Sequence, residues 1–151
     1  MTGPARADSW RRRLLVSPDE IRQLLERTRT IAVLGIKMET GAPANYVPGY
    51  ALHAGYDVIP VPVYYPDVTR ILGRDVYRRL ADIPGEVDLV DVFRRPKDIP
   101  PHVDDILAKR PRAVWFQSGI RHDEVAETLA REGIEVVQDR CLMVELRRIG
   151  K

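Results

Sequence analysis

At 151 residues, 44% of them hydrophobic and 30% charged, the chain matches one globular domain with a single core rather than a core plus a separate catalytic domain. No stretch approaches the roughly 18 apolar residues of a membrane span, and the N-terminus carries no apolar signal-peptide core. The single cysteine, Cys141, cannot form an internal disulfide, so the expected setting is cytoplasmic and away from any membrane.

The net charge of +2 is unevenly spread. Arg6, Arg11, Arg12 and Arg13 against Asp8 concentrate the basic excess in residues 1–16, which leaves 20 basic and 21 acidic residues from Ser17 onward. A nucleic-acid partner would call for a basic domain face with stacking aromatics, whereas this stretch holds only Trp10, so residues 1–16 are expected to be a mobile basic tail and residues 17–151 the folded domain. Ser17-Pro18-Asp19-Glu20 opens the first helix, with Ser17 as N-cap, Pro18 in the tolerated first position and Glu20 completing a capping box. Ile21, Leu24 and Leu25 share one face, and the helix should run to about Arg29.

Thr30-Ile31-Ala32-Val33-Leu34-Gly35 then forms a short apolar run ending in glycine, as the first strand of a nucleotide-binding α/β unit does before its phosphate turn. A helix near 45–54, the strand 56–61, a short helix-like stretch near 76–80 and the strand 87–93 follow. The remainder is expected as a helix over 101–109, the strand 113–117, a helix over 123–131, the strand 134–137 and a last helix from about Leu142. Strands alternating with helices imply a Rossmann-like three-layer α/β domain, its five-stranded, mostly parallel sheet covered by helices on both faces.

Ligands of such sheets bind beyond the carboxyl ends of the strands. Those positions here are Ile36-Lys37-Met38, Pro60-Val61-Pro62, Arg94-Arg95-Pro96, Ser118-Gly119-Ile120 and Asp139-Arg140-Cys141. Arg94 and Arg95 opposite the Gly35 turn suit a phosphate, because a guanidinium offers a fork of donors, although both could instead pair with surface carboxylates. Strand two ends without the carboxylate that would hold a dinucleotide's ribose, which argues against NAD, and the absence of Gly-Lys-Ser/Thr argues against a P-loop.

His53, His102 and His122 fall on separate elements without ligand spacing, so no metal site is expected. Ser118, His122 and Asp123 lack the Gly-x-Ser-x-Gly elbow, which leaves no catalytic residue to name. Cys141, next to Arg140 at the start of a helix, is either an activated thiol or a packed structural one. Asp91 is either a structural hydrogen-bonding group or an ionisable group near the site.

The ordered blocks Ile31-Ala32-Val33-Leu34-Gly35, Gly55-Tyr56-Asp57-Val58-Ile59-Pro60-Val61, Ile71-Leu72-Gly73, Val87-Asp88-Leu89-Val90-Asp91-Val92-Phe93-Arg94, Trp115-Phe116-Gln117-Ser118-Gly119-Ile120 and Asp139-Arg140-Cys141 resemble the small stand-alone CoA-binding proteins. These are similar to the CoA-binding domain of the succinyl-CoA synthetase α subunit. The resemblance implies non-covalent binding of coenzyme A or an acyl-CoA at the strand ends, without turnover. Its alternatives are an enzyme or enzyme component of the acyl-CoA synthetase type acting on CoA thioesters, and a nucleotide-sensing interaction protein that uses Met143 and the last helix for an unknown protein partner.

By the same resemblance, Gly35, Ile36 and Lys37 lie in the diphosphate loop, and Pro43 and Asn45 precede the helix whose N-terminus faces the phosphates. Val61 sits beside the adenosine, Phe93 and Arg94 flank the nucleotide, and Gln117, Ser118, Gly119 and Ile120 line the cleft toward the pantetheine. The chain departs from the family pattern at Ala42-Pro43, where relatives have Arg-Pro. It departs again at Val61-Pro62-Val63, where they have Val-Asn-Pro, with about one extra residue before Ile71. Both departures remove a polar contact expected at the ligand.

Overall fold

The computed structural model describes residues 9–151. In chain order it contains helix α1 (Pro18–Arg27), strand β1 (Thr30–Leu34), α2 (Pro43–His53), β2 (Asp57–Val61), β3 (Leu89–Val92), α3 (Val103–Lys109), β4 (Ala113–Phe116), α4 (Asp123–Arg131), β5 (Glu135–Val137) and α5 (Leu142–Arg148). A separate two-stranded hairpin pairs Arg70–Ile71 with Arg74–Asp75. The five strands form a parallel sheet in the order β2-β1-β3-β4-β5, so the chain reverses direction across the sheet between β1 and β3. That reversal leaves a crevice beyond the ends of these two strands.

Side-chain alternation along each strand divides the core in two. Ile31, Val33, Leu89 and Trp115 face α1, α2 and α5, while Ala32, Val90, Val114 and Phe116 face α3 and α4. Strands buried on both faces explain the nearly continuous apolar runs that make them visible in the sequence. The capping box at α1 forms as expected: Ser17 Oγ accepts from Glu20 N–H at 3.1 Å, and Glu20 Oε1 accepts from Ser17 N–H at 3.1 Å.

Three expected elements differ. Of the expected tail of residues 1–16, positions 1–8 lie outside the described residues, whereas Ser9–Arg13 form a 3-10 turn and Leu14 bridges to Val136 on the β5 edge. Trp10 is buried there, with the guanidinium carbons of Arg11 and Arg131 at 4.4 and 5.0 Å from its ring centroid. Leu15 N–H donates to the Val136 carbonyl at 2.8 Å, an edge bond that charge counting could not foresee.

The stretch 76–80 is not helical, because Val76 and Tyr77 donate their N–H groups to the Thr69 and Pro60 carbonyls instead of to a helix ladder. Only Leu80–Asp82 make a 3-10 turn, whose Leu80 and Ala81 N–H groups are taken by the Asp105 carboxylate. Finally, α3 starts at Val103, after two 3-10 turns that open on Pro96 and Pro100, since prolines cannot donate into a continuous α-helical ladder.

Candidate functional site

The turn after β1 is fixed from three sides. Gly35 has φ +88°, a conformation that glycine adopts at no steric cost. Its N–H donates to the Val61 carbonyl at 2.9 Å, and Phe93 N–H donates to the Leu34 carbonyl at 2.9 Å. A β-carbon on residue 35 would lie 2.4 Å from the Phe93 carbonyl oxygen. The glycine therefore permits close approach of the β3 exit, and the turn and that exit form one unit.

The next residues are tied to the start of α2. Lys37 N–H donates to the Ala44 carbonyl at 3.1 Å, and the buried Asn45 side-chain amide donates to the Lys37 carbonyl at 2.8 Å. Ala42 is the α2 N-cap and offers no side-chain acceptor to the first-turn N–H groups. The positive end of the helix thus faces outward toward the crevice without a capping side chain.

Lys37, Ala42, Pro43, Ala44, Phe93, Arg94, Arg95, Pro96, Gly119 and Ile120 surround one open cleft of about 320 Å³. Of the residues expected at the ligand, Lys37, Pro43, Phe93, Arg94, Gly119 and Ile120 meet there. Gly35 and Asn45 lie behind it as supports. Ile36 and Val61 are 1% exposed, and both belong to the apolar core rather than to the open wall. Pro62 is buried as well, and Ser118 is exposed without lining the cleft.

The two arginines separate. Arg95 Nε donates to Asp98 Oδ2 at 3.0 Å, the surface pairing that competed with an anion role, and this holds the Asp98 carboxyl below its ordinary range. Arg94 Nε is buried without a hydrogen-bond partner, and its guanidinium carbon stands 5.9 Å from the Tyr64 ring centroid. Half-buried His102 is pushed below its ordinary range, first by desolvation and then by the charge of Arg94, so it is neutral near pH 7.

Gln117 is buried and braces the wall from behind. Its Nε2 donates to Asp91 Oδ1 at 2.6 Å, while Leu142 N–H donates to its Oε1 at 3.4 Å. The turn that follows is clamped by Asp139, whose Oδ1 accepts from Gly119 N–H at 2.7 Å. Asp91 is fully buried between Val33 and Trp115, and its Oδ2 has no partner. Desolvation pushes its carboxyl up to about 7, only partly countered by the Gln117 bond. Cys141 is the half-buried N-cap of α5 and packs against the core.

His122 caps α4 by accepting from Val125 N–H at 3.2 Å, and no cluster of metal-ligating side chains occurs among the described residues. No helix among them is long and apolar enough to cross a membrane. The sequence reading missed Tyr64 and Tyr65, just beyond the β2 exit. There Tyr65, at φ +60°, accepts from Met38 N–H at 3.3 Å and donates to Glu39 Oε2 at 2.8 Å, which latches the exit to the β1–α2 loop. The adjacent aromatic pair Tyr64-Tyr65 directly after strand two was the available signal.

The model of the CoA binding domain family matches residues 29–147. The uncharacterized protein YneT of Bacillus subtilis (strain 168) is 31% identical over 128 residues, covering 85% of this chain and 93% of the relative. The cell-free ID.343 structure from Thermus thermophilus is similar with a TM-score of 0.82 and 43% identity, over 89% of this chain and 99% of that one. A hypothetical protein from Pyrococcus horikoshii OT3 is similar with a TM-score of 0.82 and 34% identity, over 89% and 92%.

Proposed function

Because the chain belongs to the CoA binding domain family, we propose that its cleft holds coenzyme A or an acyl-CoA, without covalent attachment and without turnover. The observation that carries this reading is the convergence of Lys37, Arg94 and the first turn of α2 on one cleft, with Phe93 and Ile120 as its apolar surfaces. Two cations and a helix N-terminus suit a diphosphate, and the Gly119-Ile120 side accepts a less polar arm. Residues 36 and 61 act from the core in this reading: they hold the turns that present the wall. The Pro60-Val61-Pro62 exit supplies no carboxylate for an NAD ribose.

The test is equilibrium titration and thermal shift with CoA, acetyl-CoA and NAD. CoA should raise the melting temperature with concentration, as mass action requires of a ligand that binds only the folded state, while NAD at equal concentration does little. An equal or larger response to NAD refutes the reading. Following the acetyl-CoA thioester over the same incubation separates binding from turnover: an intact thioester is expected, and its protein-dependent loss makes the protein an enzyme.

A further inference from the structure

We propose that Tyr64 is a specificity-determining residue of the cleft and gives its ring to the planar base of the bound nucleotide. This rests on the CoA reading above and names how that site would recognise the adenine end. Tyr64 lies three residues beyond β2, on the side of the crevice where Rossmann-type sheets hold the nucleoside. The residue is 55% exposed although it belongs to a fixed backbone. Arg78 donates from Nη1 to the Tyr64 carbonyl at 2.9 Å and from Nη2 to the Val68 carbonyl at 2.8 Å, pinning the loop from beneath.

Tyr65 packs edge-on against the Tyr64 ring, with centroids 6.5 Å apart and planes at 81°, and its hydroxyl is itself held by Glu39. An exposed aromatic ring is thereby held next to the cleft-lining Arg94, whose guanidinium carbon lies over it at 5.9 Å from the centroid. Every base has a π-face, so such a ring binds a purine without hydrogen-bonding to it. That matters here, because Pro62 is buried and offers the base no polar side chain.

The experiment measures CoA affinity by calorimetry for the wild type, Tyr64→Phe, Tyr64→Leu and Tyr64→Ala, each at low and moderate salt, with circular dichroism to verify folding. Stacking on one base is worth roughly a 5- to 150-fold change on removal of the ring. Tyr64→Phe should bind within about threefold of wild type by the same argument, and Tyr64→Ala and Tyr64→Leu should both lose affinity in that range, with the salt dependence unchanged.

Unchanged affinity in Tyr64→Ala overturns the proposal. So does retention in Tyr64→Leu, which would make bulk rather than a π-face the requirement. A loss accompanied by a flattened salt dependence also overturns it, because the ring would then act through Arg94 on a phosphate. Failure of the wild type to bind CoA at all removes the parent reading and this one together.

Discussion

Replacing Asp91 by asparagine tests the energetics of the cleft's supporting wall. The carboxyl is fully buried, and in the folded chain it ionises near pH 7 rather than near its ordinary 3.8, chiefly because burial disfavours the charge. Between these values the folded protein keeps a proton that the unfolded chain has released. Stability is therefore highest below the unfolded value and is lost as pH rises through the folded one. At about 1.36 kcal/mol per pH unit, the interval corresponds to about 4 kcal/mol, of which about 3 kcal/mol falls between about pH 5 and pH 8.

In Asp91→Asn the side-chain amide oxygen would still accept from Gln117 Nε2, because only Oδ1 of the native carboxyl is engaged and Oδ2 has no partner. The amide cannot ionise, so this part of the pH dependence should vanish. The assay is urea unfolding of wild type and Asp91→Asn across that range. The difference in unfolding free energy should move by about 3 kcal/mol in favour of the variant from the acidic to the basic end. The comparison cancels the other titrating groups. A difference flat to within about 0.5 kcal/mol, the limit for independent sites, would refute the reasoning and mean that Asp91 ionises normally despite its burial.

Four further outcomes are expected. Gly35→Ala should cost about 2–4 kcal/mol in chemical denaturation even without ligand, since its β-carbon meets the Phe93 carbonyl and the backbone has positive φ. Arg94→Ala should weaken CoA binding roughly 10- to 150-fold in titration, the value of one charge-assisted bond. Ala42→Arg, at the uncapped start of α2 on the cleft rim, should tighten CoA binding in a way that fades as salt is added, read by the same titration at two ionic strengths. Trp10→Ala should destabilise the domain by about 3–5 kcal/mol in urea, whereas an unanchored tail would show no change.

How far the sequence discloses this molecule depends on the range of the interactions involved. The α1 start was legible because Ser17, Pro18 and Glu20 satisfy the helix end among themselves, within four residues. The strands were legible because burial on both faces leaves apolar runs bounded by turns. Residues 9–15 were not, since what orders them is the stacking of Trp10 under the Arg131 guanidinium and a bond to Val136, each more than 100 residues away. Neither leaves a local pattern in the basic run. The segment 76–80 failed for the same reason, its N–H groups being taken by Pro60 and Thr69 across a loop.

At the site, the run of strand-end residues located the cleft, but could not rank its members by exposure. Gly35 illustrates the point. A glycine after the first strand implies that something must come close to the backbone, and the sequence assigned that something to a diphosphate. The nearest protein atom to a β-carbon there is the carbonyl oxygen of Phe93, from the neighbouring strand's exit. The glycine's first task is thus to let two strand ends meet, which brings Lys37 and Arg94 to the same cleft. In the proposed reading, a substitution there acts on the fold and on the ligand together. Loss of CoA binding in a Gly35 variant consequently identifies a ligand contact only if the unliganded variant keeps its stability, and the geometry predicts that it does not.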